Sequence, residues 1–122
     1  MIDNLFQDTS IEYRIKEIHQ YTLALPKDFW GPGSYDKWIR VCWALKNTSE
    51  ALLLTWIKFC SKSDDFDYAA NNALDYWNDG ESYNNSGLSF KSIIYWCKTH
   101  NPTEYKNIYQ NTVDYYIYYS FK

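Results

Sequence analysis

Apolar positions along the chain recur every three or four residues, the spacing of one helix face rather than the strict alternation of a strand. The pattern predicts an all-α fold, a compact bundle of about five to six short helices forming one domain over residues 1–122, with no internal repeat and no low-complexity linker. The first helix is expected to open at TSIE, where Thr9 can accept from the amide of Glu12, and to carry Ile11, Ile15, Ile18 and Leu25 on one face until Pro26 stops it. The following PKDFWGPG holds two prolines and two glycines and reads as an ordered loop anchored by Phe29 and Trp30. Ser34 then caps SYDKWIRVCWALKN, with Tyr35, Trp38, Val41, Cys42 and Leu45 toward the core and Lys37, Arg40 and Ala44 on the opposite side.

KNTSE interrupts the periodicity, with Asn47 or Ser49 as the next cap. ALLLTWIKFCSK resumes it: Leu53, Trp56, Ile57 and Cys60 form the expected buried stripe, while Leu54, Lys58 and Lys62 line another face. The short connection makes this helix an expected antiparallel neighbour of the preceding one. SDDFDYAANNALDYWNDG predicts a shorter helix carrying Ala70, Leu74 and Trp77 and ending near Gly80, with ESYNNSG as a polar loop. Ser89 caps FKSIIYWCKTH, which turns Phe90, Ile93, Ile94 and Cys97 inward and Lys91, Tyr95 and Lys98 outward. NPTE combines an Asn cap with Pro at the first helical position. The terminal helix that follows has rows of Tyr105, Ile108, Thr112 and Tyr116, then Tyr115 and Tyr119, which would be out of place on a free surface. Either the natural chain continues or another surface covers them.

Composition adds three constraints. Residues 1–10 lack the basic and apolar regions of a secretory signal and no apolar run reaches the ~20 residues of a membrane span, so an intracellular protein with no membrane partner is expected. Cys42, Cys60 and Cys97 are odd in number and lie inside apolar or aromatic runs, which marks them as reduced core thiols; with His19 and His100 they make none of the close pairs of a structural zinc site. The net charge of −3 is unevenly spread: residues 35–62 carry +3 and residues 63–86 carry −6. The acidic total argues against tight nonspecific nucleic-acid binding, whereas the local basic block allows a weaker contact surface.

The search for chemistry is largely negative. The four glycines fit neither phosphate-loop spacing, and no spacing pairs a nucleophile with a base, so no catalytic residue, metal or cofactor is expected. Asp64, Asp65 and Asp67 precede a predicted helix and are read as favourable charges at its N-terminus. What remains is the basic faces: Lys37, Arg40, Lys58, Lys62, Lys91 and Lys98 are the candidate nucleic-acid contacts, with the Tyr35 or Tyr95 ring at their edge. Solvated cations are the alternative reading of the same residues.

GPGSYDKWIRVCWALKN, LLLTWIKFCSKSDDFDY, the isolated Trp77, GLSFKSIIYWCK and EYKNIY, in that order, resemble the primase C-terminal domain of the second type, found in primase-helicases of large DNA viruses and plasmids. The resemblance covers roughly residues 25–109 and leaves 110–122 as a helix leading towards a helicase region. Cys42, Cys60 and Cys97 stand where the family commonly has Gly, Ser and Ala, exchanges among small residues that keep the packing. The resemblance implies a non-catalytic accessory domain between a primase and a hexameric helicase, monomeric in isolation. It would work in host cytoplasm or at a viral replication site and assist binding of single-stranded DNA template or the initiating nucleotide. A structural connector that docks primase to helicase is the second expectation, and a stand-alone virulence or regulatory protein the third.

Overall fold

In the computed structural model, residues 2–63, 66–79 and 87–120 are described, with side chains for 11–63, 72–79 and 87–118. They form six helices and no strand among the described residues: α1 (Ile2–Leu23), α2 (Tyr35–Thr48), α3 (Leu53–Cys60), α4 (Phe66–Asn78), α5 (Phe90–His100) and α6 (Pro102–Ser120). Single 3₁₀ turns lie at Lys27–Phe29 and Glu50–Leu52. The expected all-α bundle is therefore the fold. None of the described helices is long and apolar enough to cross a membrane.

α2 and α5 lie at the centre of the packing. α2 touches α3, α4, α5 and both 3₁₀ turns, and α5 touches α1, α2 and α6. This explains a difference from the amphipathic reading of α2. Ala44 is fully buried and Ile39 nearly so, although both lie outside the expected stripe, because α2 has neighbours on more than one side. Tyr35, expected inward, is exposed at the mouth of the helix.

From the Glu50–Leu52 turn through α3 the buried set is Leu52, Thr55, Trp56, Phe59 and Cys60, a regular three-and-four spacing. Ile57, expected inward, lies just outside that stripe, about 100° around the helix from Trp56, and is exposed. In α4, Ala73 and Trp77 face the core while Leu74, expected there, is exposed. The reason is a close approach: the Trp56 indole N–H donates to the Ala73 carbonyl at 2.8 Å, which a small side chain at position 73 allows.

The ends of the helices follow local chemistry, with two corrections. Ser89 forms a full capping box with Ser92, and Ser49 Oγ accepts from the Ala51 amide at 3.1 Å. Ser34 occupies the N-cap position of α2 but donates its hydroxyl back to the Gly31 carbonyl at 2.6 Å instead of capping. Thr9 lies inside α1, which begins at Ile2, so TSIE does not start the helix; a cap contributes only about 1 kcal/mol and yields to a continuous helical backbone. Ile11, expected on the core face, is exposed, and α1 buries its C-terminal half through Ile18, Tyr21, Thr22 and, just past its end, Leu25. The Asp64, Asp65 and Asp67 capping reading, the ESYNNSG loop and the Gly80 stop fall outside the described residues or side chains, although α4 does end at Asn78.

The loop 26–34 is ordered, as its two anchors suggested. Phe29 is buried, and the Trp30 indole N–H donates to the Leu25 carbonyl at 3.1 Å. Glycine is required twice. Gly33 has φ 79°, and a Cβ on Gly31 would lie 2.9 Å from the Lys27 carbonyl oxygen. Across the molecule, the Asn101 side-chain amide donates to the Ala24 carbonyl at 2.8 Å and ties the α5–α6 corner to the end of α1.

The tyrosine rows of α6 are partly covered from within. Ile108 and Thr112 are buried, Tyr105 stacks on Tyr21, and Tyr115 stacks on Tyr13 with ring centroids 3.6 Å apart. Tyr109, Ile117 and Tyr118 remain exposed.

Candidate nucleic-acid interface

The loop that reverses the chain after α1 places two aromatic rings beside basic side chains. Phe29, held by its 3₁₀ turn against α2, meets Trp96 at 5.8 Å and the His100 ring edge-on at 5.0 Å, both from α5. Lys37 lies over the Phe29 ring at 5.6 Å. With Arg40, these residues line a small pocket of about 110 Å³.

Trp30, next in sequence, is half-buried and flanked by Lys27 at 6.0 Å and Lys62 at 5.9 Å from its ring centroid. Each such contact contributes roughly 0.5–1 kcal/mol at an exposed site, enough to bias where a lysine rests without removing it from solvent. Lys62 reaches this ring because the chain turns immediately after α3, where its amide donates to the Phe59 carbonyl. One cation thus belongs to both the loop and the far end of α3.

Lys58, one turn before Lys62, acts on His19. Burial, and then the positive charge of Lys58, hold His19 below its ordinary value, so its ring is neutral at pH 7. His19 Nδ1 shares a 2.7 Å hydrogen bond with Thr55 Oγ1.

Lys91 and Lys98 lie elsewhere. Seven residues apart, they share one face of α5, and Lys98 stands two residues from both Trp96 and His100, roughly 200° around the helix from the pocket they line. Lys98 instead sits 5.8 Å over Tyr105. The six candidate cations therefore do not form one surface: Lys37 and Arg40 share a pocket, Lys62 and Lys58 border the same side through Trp30 and His19, and the α5 pair faces away.

The rings also differ from those expected. Tyr35 packs on Trp38 and Tyr76, and Tyr95 is exposed on α5; Phe29, Trp30 and Trp96 are the rings beside Lys37, Arg40 and Lys62, and Tyr105 is the ring beside Lys98. FW in the loop was visible in the sequence as an anchor. Its proximity to Lys37 and Lys62 depends on where the chain returns, which periodicity does not encode.

A wide-open hollow of about 750 Å³ lies between the C-terminal half of α1 and α6, with Lys62 among the residues that line it. Chemistry of other kinds is limited. The three cysteines are free and buried, and burial pushes the Cys42 thiol to about 12 and the Cys97 thiol to about 11. Among the described residues no group of three or more His, Cys, Asp or Glu side chains could hold a metal ion.

The family model described as Primase C terminal 2 (PriCT-2) matches residues 18–97. No curated protein and no solved structure matches the chain. The matched span runs from the buried end of α1 to Cys97 and so includes the loop, Lys37, Arg40, Lys58 and Lys62.

Proposed function

The chain belongs to the primase C terminal 2 (PriCT-2) family, and from that membership we propose that it is the accessory helical domain of a DNA primase-helicase, non-catalytic itself, which holds single-stranded template during primer synthesis. In this reading it stands between a primase and a hexameric helicase of a large DNA virus or plasmid. The observation that carries the reading is the grouping of exposed cations around residues 27–40 with the half-buried Trp30 ring among them, over a buried Phe29. Phosphate contacts supply affinity without sequence preference, and ring faces supply stacking, the combination that single-strand binding needs. Lys37, Arg40, Lys58 and Lys62 are the principal contacts in this proposal, with Lys91 and Lys98 a separate, secondary basic face.

The test is charge reversal. Arg40→Glu with Lys58→Glu should lower template affinity and primer synthesis by the parent protein and flatten the dependence of affinity on salt. Unchanged binding and unchanged primer synthesis would remove the proposal.

A second reading is favoured by the exposed Tyr109, Ile117 and Tyr118 of α6, a face suited to docking a neighbouring domain. Ile117→Ser with Tyr118→Ser should then weaken assembly of the parent protein and leave DNA affinity unchanged. Tyr115 is a poor choice for this test because its ring stacks on Tyr13 within the bundle.

A further inference from the structure

Past the end of α3 the sequence sets a hydroxyl between two cations of the proposed contact surface. Ser61 stands three residues after Lys58 and one before Lys62, and its side chain is exposed. The amides of Ser61, Lys62 and Ser63 each donate to the carbonyl three residues back, at 3.2, 3.1 and 3.1 Å, so the helix closes in a turn that presents Ser61 to solvent. The Ser61 hydroxyl donates to the Lys58 carbonyl at 2.6 Å. Asp64, Asp65 and Asp67 follow it three, four and six residues on, and no Lys or Arg occurs from Ser63 to Ser86. Among the described side chains, Ser61 is the one exposed serine or threonine with a carboxylate three residues after it; Thr99 and Thr103, also exposed, have Pro102 and Lys106 there.

We propose that Ser61 is a phosphorylation site for an acid-directed serine kinase, and that its phosphate switches off the Lys58 and Lys62 side of the contact surface. A kinase of this class selects its substrates by charge pattern, pairing its own cations with carboxylates that follow the acceptor. ATP is the donor: Ser61 Oγ bonds to the γ-phosphorus while the bond to the β–γ bridging oxygen breaks, ADP leaves, and the hydroxyl proton passes to the catalytic carboxylate of the kinase. The phosphate carries roughly −1.5 to −2 charge at pH 7. It no longer donates to the Lys58 carbonyl, and it lies at a helix C-terminus, where negative charge is disfavoured. The ammonium groups of Lys58 and Lys62 are then its counter-ions, and Lys62 leaves the Trp30 ring, now 5.9 Å from it. A strand's phosphates meet a neutralised face. The switching half of the inference rests on the template reading above; the modification itself does not.

The experiment treats this chain with casein kinase 2, ATP and Mg²⁺, locates phosphate by tandem mass spectrometry, and titrates modified and unmodified chains with a single-stranded dT 12-mer at several salt concentrations. Phosphate is expected on Ser61, is lost in Ser61→Ala and in Asp64→Asn with Asp65→Asn, and is kept in Ser63→Ala. Modification should lower strand affinity on the order of tenfold at low salt and reduce the salt slope by about one to two phosphate contacts. Ser61→Ala, which keeps both lysines, should bind the strand as the unmodified chain does and not respond to the kinase. No phosphate on Ser61, or phosphate there that persists without the two carboxylates, overturns the site. Phosphate on Ser61 with unchanged strand affinity overturns the switch and leaves template binding standing. Failure of the unmodified chain to bind the strand removes the template reading and the switch with it, while the mass spectrum still decides the site.

Discussion

Trp56 and Trp30 are the same side chain in two settings. Both indole N–H groups donate to a backbone carbonyl, Trp56 to Ala73 at 2.8 Å and Trp30 to Leu25 at 3.1 Å. The difference lies on the ring faces. Trp56 is fully buried, its ring 4.7 Å from that of Trp38 and 6.2 Å from that of Phe59. Trp30 is half-buried and meets two lysines instead. A satisfied donor fixes where an indole sits; what covers its faces decides whether it serves stability or recognition. Trp56 and Trp77 hold α3 to α4 and to the Glu50–Leu52 turn, Trp77 with Lys46 over its buried ring at 5.1 Å; Phe29 is likewise buried beneath Lys37, and it is the half-buried Trp30 that meets its lysines at the surface.

Truncating each of the two rings should separate them most. Trp56→Ala should cost about 3–5 kcal/mol in urea unfolding, because it empties a filled site and leaves the Ala73 carbonyl without that partner. Trp30→Ala should cost roughly 1 kcal/mol, for one hydrogen bond and weak ring contacts, yet reduce single-strand affinity strongly if a base stacks there. Equal losses of stability in the two variants would erase the distinction.

Thiol chemistry provides a sharper check of the closed region. Burial raises all three thiols, Cys42 to about 12 and Cys97 to about 11, so thiolate is scarce at pH 8. Labelling by an aromatic disulfide reagent should be slow in the native chain and complete in urea. Rapid native labelling of any one cysteine would show that the core opens there.

The smallest expected effect is a pH dependence on the open side. His19 is held below 6.5 in the folded chain by burial and by Lys58, so as pH falls below 6.5 the unfolded chain takes up the proton first. Stability should therefore decline from pH 6.5 downward, and Lys58→Gln should lessen the decline. A stability curve flat through that window contradicts the shift, and a decline unaffected by Lys58→Gln leaves burial as its cause and removes the contribution of Lys58.

Much of the fold was legible because its determinants are local. The Ser89 cap, the break at Pro26, and the outward Lys91, Tyr95 and Lys98 follow from short patterns and appear in the structure. Leu74 and Ile57 were misplaced because a neighbouring position on the same helix made the better contact, a choice set by the opposing helix. Lys37 and Arg40 were legible as a polar face. The Phe29 pocket between them and α5, the two lysines on Trp30, and the hollow between α1 and α6 were not, since each joins residues far apart in sequence through the packing of α1, α5 and α6.

The central claim is that the cation-and-ring loop, not the α5 or α6 faces, meets template. It is tested most directly by mapping NMR shifts of this chain on titration with a single-stranded 12-mer at low and moderate salt. Shifts are expected at the Trp30 indole, Lys37, Arg40 and Lys62 and should fade as salt rises. A flat titration, or shifts confined to Lys91 and Lys98 or to the exposed tyrosines of α6, would contradict it.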